Sequence, residues 1–220
     1  MRADNLNERN AEFAQAPLTT PVFLNSVPKC GTHLIRNVMR MFVPVSQQYH
    51  ATFVQHPALR QHGPIAFSPE RPMLSWGHLL YSDDAAILLK PARNILMVRD
   101  PYDWVLARAR FFMSENFEGR TDNLKGKVDT LDLLNMMIFG IHQKAPALEE
   151  IFRHNAVAWL GTKAYLIRYE EMVGHLKRLD TKQAELYFAG LFDACGIAMT
   201  DDWRKRSEEH TSELQSRQCI

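Results

Sequence analysis

Short apolar runs alternate with longer amphipathic segments along most of the chain. Four runs have the length and continuous apolar character of buried parallel strands, at 21–26, 73–76, 94–98 and 164–167. Each is followed by residues with turn or helix-capping character. Strands that alternate with helices form parallel sheets covered on both faces, so the pattern predicts an α/β fold.

Capping signals mark the ends of the predicted helices. Asp100 followed by Pro101 is a favourable helix start, and Thr181 begins another helix that Gly196 ends. The predicted helices cover 34–42, 82–90, 101–113, 130–143, 146–159 and 182–195. The helix after Asp100 is expected to bury a stripe formed by Tyr102, Val105, Leu106, Ala109, Phe112 and Met113. Arg36 and Arg40, on the outer face of the first helix, are expected in solvent.

Two segments lack a clear period. Residues 1–20 are polar with mixed charge and are interpreted as a flexible N-terminal arm, with a short edge helix within 1–18 as the alternative. Residues 44–73 contain five prolines and three histidines that recur every six residues, whereas zinc ligands on one helix face recur every three or four. These histidines are therefore interpreted as loop and surface residues. A loop of this length is usually functional, so the segment is expected to shape an acceptor pocket together with 114–160.

Composition narrows the class of protein. The 220 residues, 46% of them apolar, are enough for one domain with a substantial core. A net charge of +1 argues against nucleic-acid binding driven by bulk charge. No apolar run approaches the roughly 20 residues needed to cross a bilayer, so no membrane association is expected. Three cysteines make no disulfide framework, which favours a reducing cytoplasm.

The loop from Ser26 to His33 is the strongest chemical signal. It joins a predicted strand to a predicted helix, the arrangement by which α/β proteins hold anions at a helix N-terminus. Gly31 permits close backbone approach, Lys29 adds a positive charge and Thr32 adds a hydroxyl. The loop is not a Walker A motif, because its lysine precedes the glycine. The sequence therefore predicts a phosphate or sulfate cradle.

Two further polar residues follow predicted strands. Arg99 and Tyr169 come after the third and fourth strands, and ligands of parallel α/β sheets bind at the carboxyl ends of the strands. Structural alternatives remain open at this point. Lys29 could be a solvated turn lysine, and Arg99 could pair with Asp100 or Asp103.

Four segments together resemble the sulfotransferase family that uses 3′-phosphoadenosine 5′-phosphosulfate (PAPS). The string 28–32 resembles the family's 5′-phosphosulfate loop, and 98–104 resembles its 3′-phosphate motif with a strand-end arginine. Residues 168–172 resemble its Tyr-Glu-Asp-Met segment, whose tyrosine lies near the adenine. Gly77-His78-Leu79 resembles the Thr/Ser-His-Leu segment that carries the catalytic base. Their order and spacing also fit.

The resemblance implies a cytosolic-type sulfotransferase over 21–205, with a P-loop NTPase-like parallel sheet and helices on both faces. It implies transfer of a sulfuryl group from PAPS to a hydroxyl or amine of a small-molecule acceptor, with no metal. His78 and Lys29 would be catalytic. The implied PAPS-binding residues are Lys29, Cys30, Gly31, Thr32, His33, Arg99 and Tyr169. Neither the acceptor nor the oligomeric state can be inferred from the sequence.

The chain departs from the family pattern in several places, including Cys30, where the family more often has serine, and His33, where it often has threonine. Ala107 stands where the family has a serine that holds the 3′-phosphate, and Arg108 or Arg110 is a candidate substitute. The family's late Arg-Lys-Gly loop is absent, and Arg204-Lys205 is too short to replace it. A P-loop small-molecule kinase, with Asp100 as its candidate Mg²⁺ ligand, and an inactive nucleotide-binding remnant therefore remain alternatives.

Residues 206–216 resemble the translation of a sequencing-adapter oligonucleotide in one frame. Residues 206–220 are interpreted as a non-native tail on a C-terminally incomplete domain. The tail is expected to pack against nothing, because its apolar residues are too sparse to form a stripe.

Overall fold

The computed structural model describes residues 5–114 and 126–208. Within them, five parallel strands form one sheet in the order β2-β3-β1-β4-β5. The strands are β1 Val22–Ser26, β2 Val54–Gln55, β3 Leu74–His78, β4 Arg93–Val98 and β5 Tyr165–Arg168. The predicted fold class is confirmed.

Helices connect the strands and cover the sheet. They are α1 Leu6–Asn10, α2 Thr32–Arg40, α3 Leu59–Ala66, α4 Asp83–Leu89, α5 Pro101–Phe112, α6 Thr130–Phe139, α7 Leu148–Asn155, α8 Tyr169–Leu176, α9 Lys182–Cys195 and α10 Trp203–Glu208. Short 3₁₀ turns lie at Val45–Gln47, His56–Ala58 and Val157–Trp159. Asp100 and Thr181 cap α5 and α9 as predicted, and Gly196 ends α9 with a φ of 66°. No described helix is long and apolar enough to cross a membrane.

The central strand β1 is buried on both faces and divides the core in two. Val22 and Leu24 pack into the cluster that holds α2, α5 and α9, whereas Phe23 packs into the cluster that holds α3 and α4. Side chains of a strand alternate between faces, so a continuous apolar strand can serve both layers at once. Because β3, β1 and β4 are parallel neighbours, their carboxyl ends lie at the same edge of the sheet.

Residues 44–73 contain more regular structure than the sequence predicts. They include β2, α3 and two 3₁₀ turns. The ring of His50 packs edge-on against Trp76, and Nδ1 of His62 lies 2.8 Å from the Tyr49 hydroxyl. Within 5–114 and 126–208, no group of three His, Cys, Asp or Glu side chains is placed to hold a metal ion.

Of the two interpretations of the N-terminal segment, residues 5–20 agree with a short helix, α1, and not with a flexible arm. Leu6, Phe13 and Leu18 are buried, and the Asn10 side-chain amide donates to the carbonyl oxygens of Arg40 and Val43. Arg40, expected in solvent, is only 3% exposed and donates to Gln48 Oε1 and Asn7 Oδ1. The segment thus packs on α2 through polar contacts that its composition does not reveal.

The prediction that the chain from 206 onward packs against nothing is wrong at its first residues. Arg206 is 2% exposed and Ser207 is fully buried. The Arg206 guanidinium donates to Asp202 Oδ1, to the Ala14 carbonyl and to the Met41 carbonyl. Residues 209–220, which make up the rest of the predicted tail, lie outside the described residues.

The buried face of α5 differs from the predicted stripe. Tyr102 is 85% exposed and Leu106 is 44% exposed, and Arg110 is exposed on the same face. Val105, Ala109 and Phe112 are buried as predicted, and Trp104 and Arg108 are buried beside them. A bulky indole and a hydrogen-bonded guanidinium have moved the stripe around the helix, which apolar spacing alone cannot predict.

Candidate functional site

The loop after β1 is held in a defined conformation by α5. Lys29 has a φ of 66° and Gly31 a φ of 98°, both in the left-handed region. The Trp104 indole N–H donates to the Pro28 carbonyl oxygen at 2.6 Å, and Trp104 is 1% exposed. A left-handed conformation costs about 1 kcal/mol or more for a residue other than glycine, so Lys29 depends on such surroundings.

The N-terminus of α2 faces this loop and has the features of an anion site. Its N-cap residue is Gly31, which has no side chain to cap the helix, and its first turn contains no acidic residue. The hydroxyls of Thr32 and Ser26 lie 2.5 Å apart, which orients Thr32 at the helix start. The exposed side chain of His33 follows it. The positive end of α2 is therefore suited to a phosphate or sulfate group.

Arg99 and Tyr169 lie against the same loop. A Cβ on Gly31 would lie 2.5 Å from Cδ2 of Tyr169, so the tyrosine ring rests directly on this glycine. The Arg99 guanidinium is 4.4 Å from the centroid of that ring. The backbone of β4 and β5 thus brings two side chains to the loop from positions 70 residues apart in sequence.

Arg99 has an acidic neighbour, but not one of those expected from the sequence. Its Nε lies 3.9 Å from Glu170 Oε1, and that oxygen accepts the Asp100 backbone N–H. Asp100 itself is occupied as the cap of α5. Among the residues that the structure describes, Arg99 Nε and Glu170 Oε2 have no hydrogen-bond partner although both atoms are buried. An arginine donor left without a partner is consistent with an anionic ligand at this position.

Cys30 is part of the packing beneath the loop. Its side chain is fully buried. Burial raises the pKa of the thiol, while the nearby Arg99 charge opposes this rise. Cys30 is therefore a neutral thiol, and its contribution to the site comes through the backbone of the loop.

His78 is the last residue of β3 and joins the same polar cluster. Its Nδ1 lies 2.9 Å from the Ser26 carbonyl oxygen and 3.1 Å from the Ser26 hydroxyl. A carbonyl can only accept, so Nδ1 carries the proton and Nε2 of the neutral ring is the proton acceptor. Phe53 packs edge-on against the ring at 4.7 Å. In this tautomer, Nε2 is the atom that can act as a base.

The pKa of His78 is lowered to about 4, mainly by burial and further by the charges of Lys29 and His33. An anion bound at the loop would offset those two charges and raise this pKa toward the range useful for a base. Asn25 supports the position of the ring, because its side chain accepts the Leu79 N–H and donates to the Leu79 carbonyl.

The low pKa of His78 predicts loss of stability in acid. The folded pKa is about 4 and the unfolded value is about 6.5, so between these values the unfolded chain binds more protons. Stability should fall by roughly 3 kcal/mol as the pH drops from 6.5 to 4. Urea unfolding at pH 7 and pH 4 measures this loss. Glutamine does not titrate, so the free energy of unfolding of His78→Gln should fall by about 3 kcal/mol less than that of the wild type over this pH range. An equal fall in both proteins would contradict a low pKa of His78.

An open apolar cavity of about 350 Å³ adjoins Lys29. Its walls come from the loop after β1, from α5 and from the segment around α7. They include Pro28, Lys29, Leu80, Trp104, Phe111 and Ile151. The sequence predicted a pocket built from 44–73 and 114–160. The second segment contributes to this cavity, but the described part of the first does not.

The arginines that the family resemblance suggested as substitute ligands make other contacts. The Arg108 guanidinium donates to the carbonyls of Met137 and Pro146 and is 4% exposed, so it holds α6 to α5. Arg110 is exposed on the opposite face. Arg204 donates to the Leu179 carbonyl and Lys205 lies over Phe13, away from the loop after β1.

Sequence reasoning missed three contributors to the site. Ser26 bridges Thr32 and His78, Trp104 anchors the loop, and Phe111 lies beneath the Lys29 ammonium. Ser26 ends an apolar strand and Trp104 falls on the buried side of α5. For Ser26, the one signal in the sequence was its position as a polar residue at the end of a strand. The aromatic contacts depend on pairs about 80 residues apart.

The fold is similar to that of mouse sulfotransferase SULT7A1, solved in complex with PAP, with a TM-score of 0.56. The sequences are 18% identical, and the match covers 99% of this chain and 73% of the mouse chain. At this identity the likeness establishes the fold. No protein-family model and no curated protein matches the sequence.

Proposed function

We propose that the protein is a sulfotransferase that moves a sulfuryl group from PAPS to a hydroxyl or amine of a small acceptor. The observation that carries this proposal is the cluster at one sheet edge. There an uncapped helix N-terminus, Lys29 and Arg99 lie at the same sheet edge as a neutral histidine whose Nε2 can accept a proton, and Arg99 Nε has no hydrogen-bond partner among the described residues. The likeness in fold to a PAP-bound sulfotransferase supports it.

The residues present suit both phosphate groups of such a donor. Lys29, Thr32 and the first N–H groups of α2 would hold the 5′ end, and Arg99 would hold the 3′-phosphate. Tyr169 would lie beside the nucleoside. PAPS supplies the sulfuryl group and leaves as adenosine 3′,5′-bisphosphate. Lys29 would stabilise the charge that develops on the departing phosphate.

His78 would act as the general base. Its Nδ1–H is held by the Ser26 carbonyl, so Nε2 is directed away from that contact and can accept the acceptor's proton. The acceptor would lie in the 350 Å³ cavity beside Lys29, whose walls are mostly apolar.

One observation counts against the kinase alternative. A kinase needs carboxylates for Mg²⁺. Asp100 caps α5, and the neighbouring Glu170 accepts the Asp100 N–H beside Arg99. The inactive-remnant alternative is favoured by Ala107 and by the engagement of Arg108, because both leave Arg99 with less support at the 3′-phosphate. Nucleotide binding without turnover would be its signature.

Adenosine 3′,5′-bisphosphate should bind, and Lys29→Ala should weaken its binding by tenfold or more. Charge-assisted hydrogen bonds are worth about 1.5–3 kcal/mol each, so removing the Lys29 ammonium is enough to weaken binding by about tenfold. Isothermal titration calorimetry of the wild type, Lys29→Ala and the exposed Lys90→Ala measures the effect, with ATP-Mg²⁺ as the competing ligand. Tighter binding of ATP-Mg²⁺, or unchanged affinity in Lys29→Ala, would count against the proposal.

A further inference from the structure

The Lys29 ammonium lies over an aromatic ring. Its Nζ is 3.0 Å from the centroid of the Phe111 ring, and both residues line the apolar cavity. Lys29 is only partly exposed, and burial lowers the pKa of its ammonium group. A cation close above a ring face is attracted by the negative face of the ring.

Helix α5 creates this contact. Trp104 and Phe111 are seven residues apart and so project from the same face of the helix, two turns from each other. Trp104 holds the carbonyl of Pro28, the residue before Lys29, and Phe111 meets the end of the Lys29 side chain. One helix face therefore fixes both the backbone and the ammonium of this lysine.

We propose that Phe111 is a positioning residue that keeps the Lys29 ammonium in the apolar cavity until an anion binds at the loop. The consequence, which rests on the proposed function, is that nucleotide and acceptor binding are linked. A phosphate at the N-terminus of α2 attracts the ammonium more strongly than a neutral ring does. When Lys29 turns to that phosphate, the face of Phe111 becomes available to an apolar acceptor.

The linkage is reciprocal. If a nucleotide frees the ring for an acceptor, an acceptor on the ring must favour nucleotide binding by the same factor. The ammonium in the cavity also excludes apolar ligands while the loop is empty. Nucleotide-first binding then follows from the position of one side chain and needs no movement of a loop or domain.

The contact can be observed directly by NMR. A methylene group above a ring is shifted upfield, so the Lys29 ε-methylene of the ligand-free protein should be upfield of all other lysines, with Lys29→Ala giving its assignment. The shift should disappear in Phe111→Leu and persist in Phe111→Tyr and in Phe112→Leu. Phe112 is the matched control, because it lines the same cavity but its ring contacts Arg108. An unshifted wild-type resonance would overturn the inference, whether or not nucleotide binds.

The linkage is measured with 2-naphthol as the apolar hydroxyl probe and adenosine 3′,5′-bisphosphate as the anion. We expect 2-naphthol to bind about 5–10-fold more tightly to the nucleotide-saturated wild type than to the free protein. The ratio should fall close to 1 in Phe111→Leu and be retained in Phe111→Tyr and Phe112→Leu. A ratio of 1 in wild type that binds the nucleotide would overturn the linkage. Absence of nucleotide binding would overturn the proposed function instead, and the NMR shift would still decide the position of Lys29.

Discussion

Replacing His78 with alanine is expected to lower the turnover of sulfuryl transfer by about 10²–10⁴-fold, the usual contribution of a positioned general base. The affinity for adenosine 3′,5′-bisphosphate should change little, because the ring contacts Ser26 rather than the residues assigned to the nucleotide. Formation of naphthyl sulfate from PAPS and 2-naphthol measures turnover, and calorimetry measures affinity. Loss of turnover alone identifies a base.

The matched control for this experiment is His62→Ala. His62 also has one ring nitrogen hydrogen-bonded, here to the Tyr49 hydroxyl, but it lies on α3. Replacing His62 with alanine should leave turnover close to that of the wild type. Equal losses of turnover and nucleotide affinity in His78→Ala would show that His78 supports the structure and does not act as the base.

Gly77→Ala is expected to destabilise the fold by more than about 3 kcal/mol, beyond the usual cost of overpacking. A Cβ at Gly77 would lie 1.9 Å from the Val54 carbonyl oxygen and 2.7 Å from its carbon. Both are backbone atoms of β2, so the clash can be relieved only by separating β2 from β3. The sulfotransferase segment that Gly77-His78-Leu79 resembles has threonine or serine here, and this close approach explains the glycine.

Chemical denaturation of Gly77→Ala and Gly161→Ala measures this cost. Gly161 is the control, because a Cβ there would meet nothing within 4 Å, and its substitution should change stability by no more than about 0.5 kcal/mol. Since Gly77 precedes His78, the altered strand should also displace the base. Stability close to wild type in Gly77→Ala would show that β2 does not approach β3 this closely in solution.

The sequence predicted the strand ends well because their signals are local. An apolar run followed by Lys29, Arg99 or Tyr169 shows both where a strand stops and which polar group follows it. Parallel topology then places these residues at one edge, and the structure has them there. Gly31 lies against Tyr169, and Tyr169 lies against Arg99. Their assignment to PAPS stays a prediction.

The partners of these residues could not be predicted, because each contact joins distant parts of the chain. Glu170, not Asp100 or Asp103, is the carboxylate beside Arg99, since α8 begins where β5 ends next to β4. Arg108 was expected near a phosphate because of its charge. Instead it satisfies two carbonyls of the segment around α6, and a sequence contains no signal for an unpaired carbonyl 29 or 38 residues away.

The N-terminal segment 1–20 and the tail from 206 were interpreted as unstructured, and both show that polar composition alone is a poor guide to packing. Few apolar residues and many charges favour solvent, and that rule led to a flexible arm at 1–20 and a loose tail from 206. Arg206 contradicts it, because a guanidinium with several carbonyl partners can be buried. Asn10 is buried for the same reason.

The bond between Arg206 and the Ala14 carbonyl has a consequence for the protein during its synthesis. Its partners are 192 residues apart, so the ribosome must add those residues before the N-terminal segment can complete its packing. At ordinary elongation rates this takes roughly 10–40 s, during which Phe13 and its neighbours lack part of their cover. A nascent chain of this protein would therefore leave the surface around Phe13 partly uncovered until residue 206 has been added.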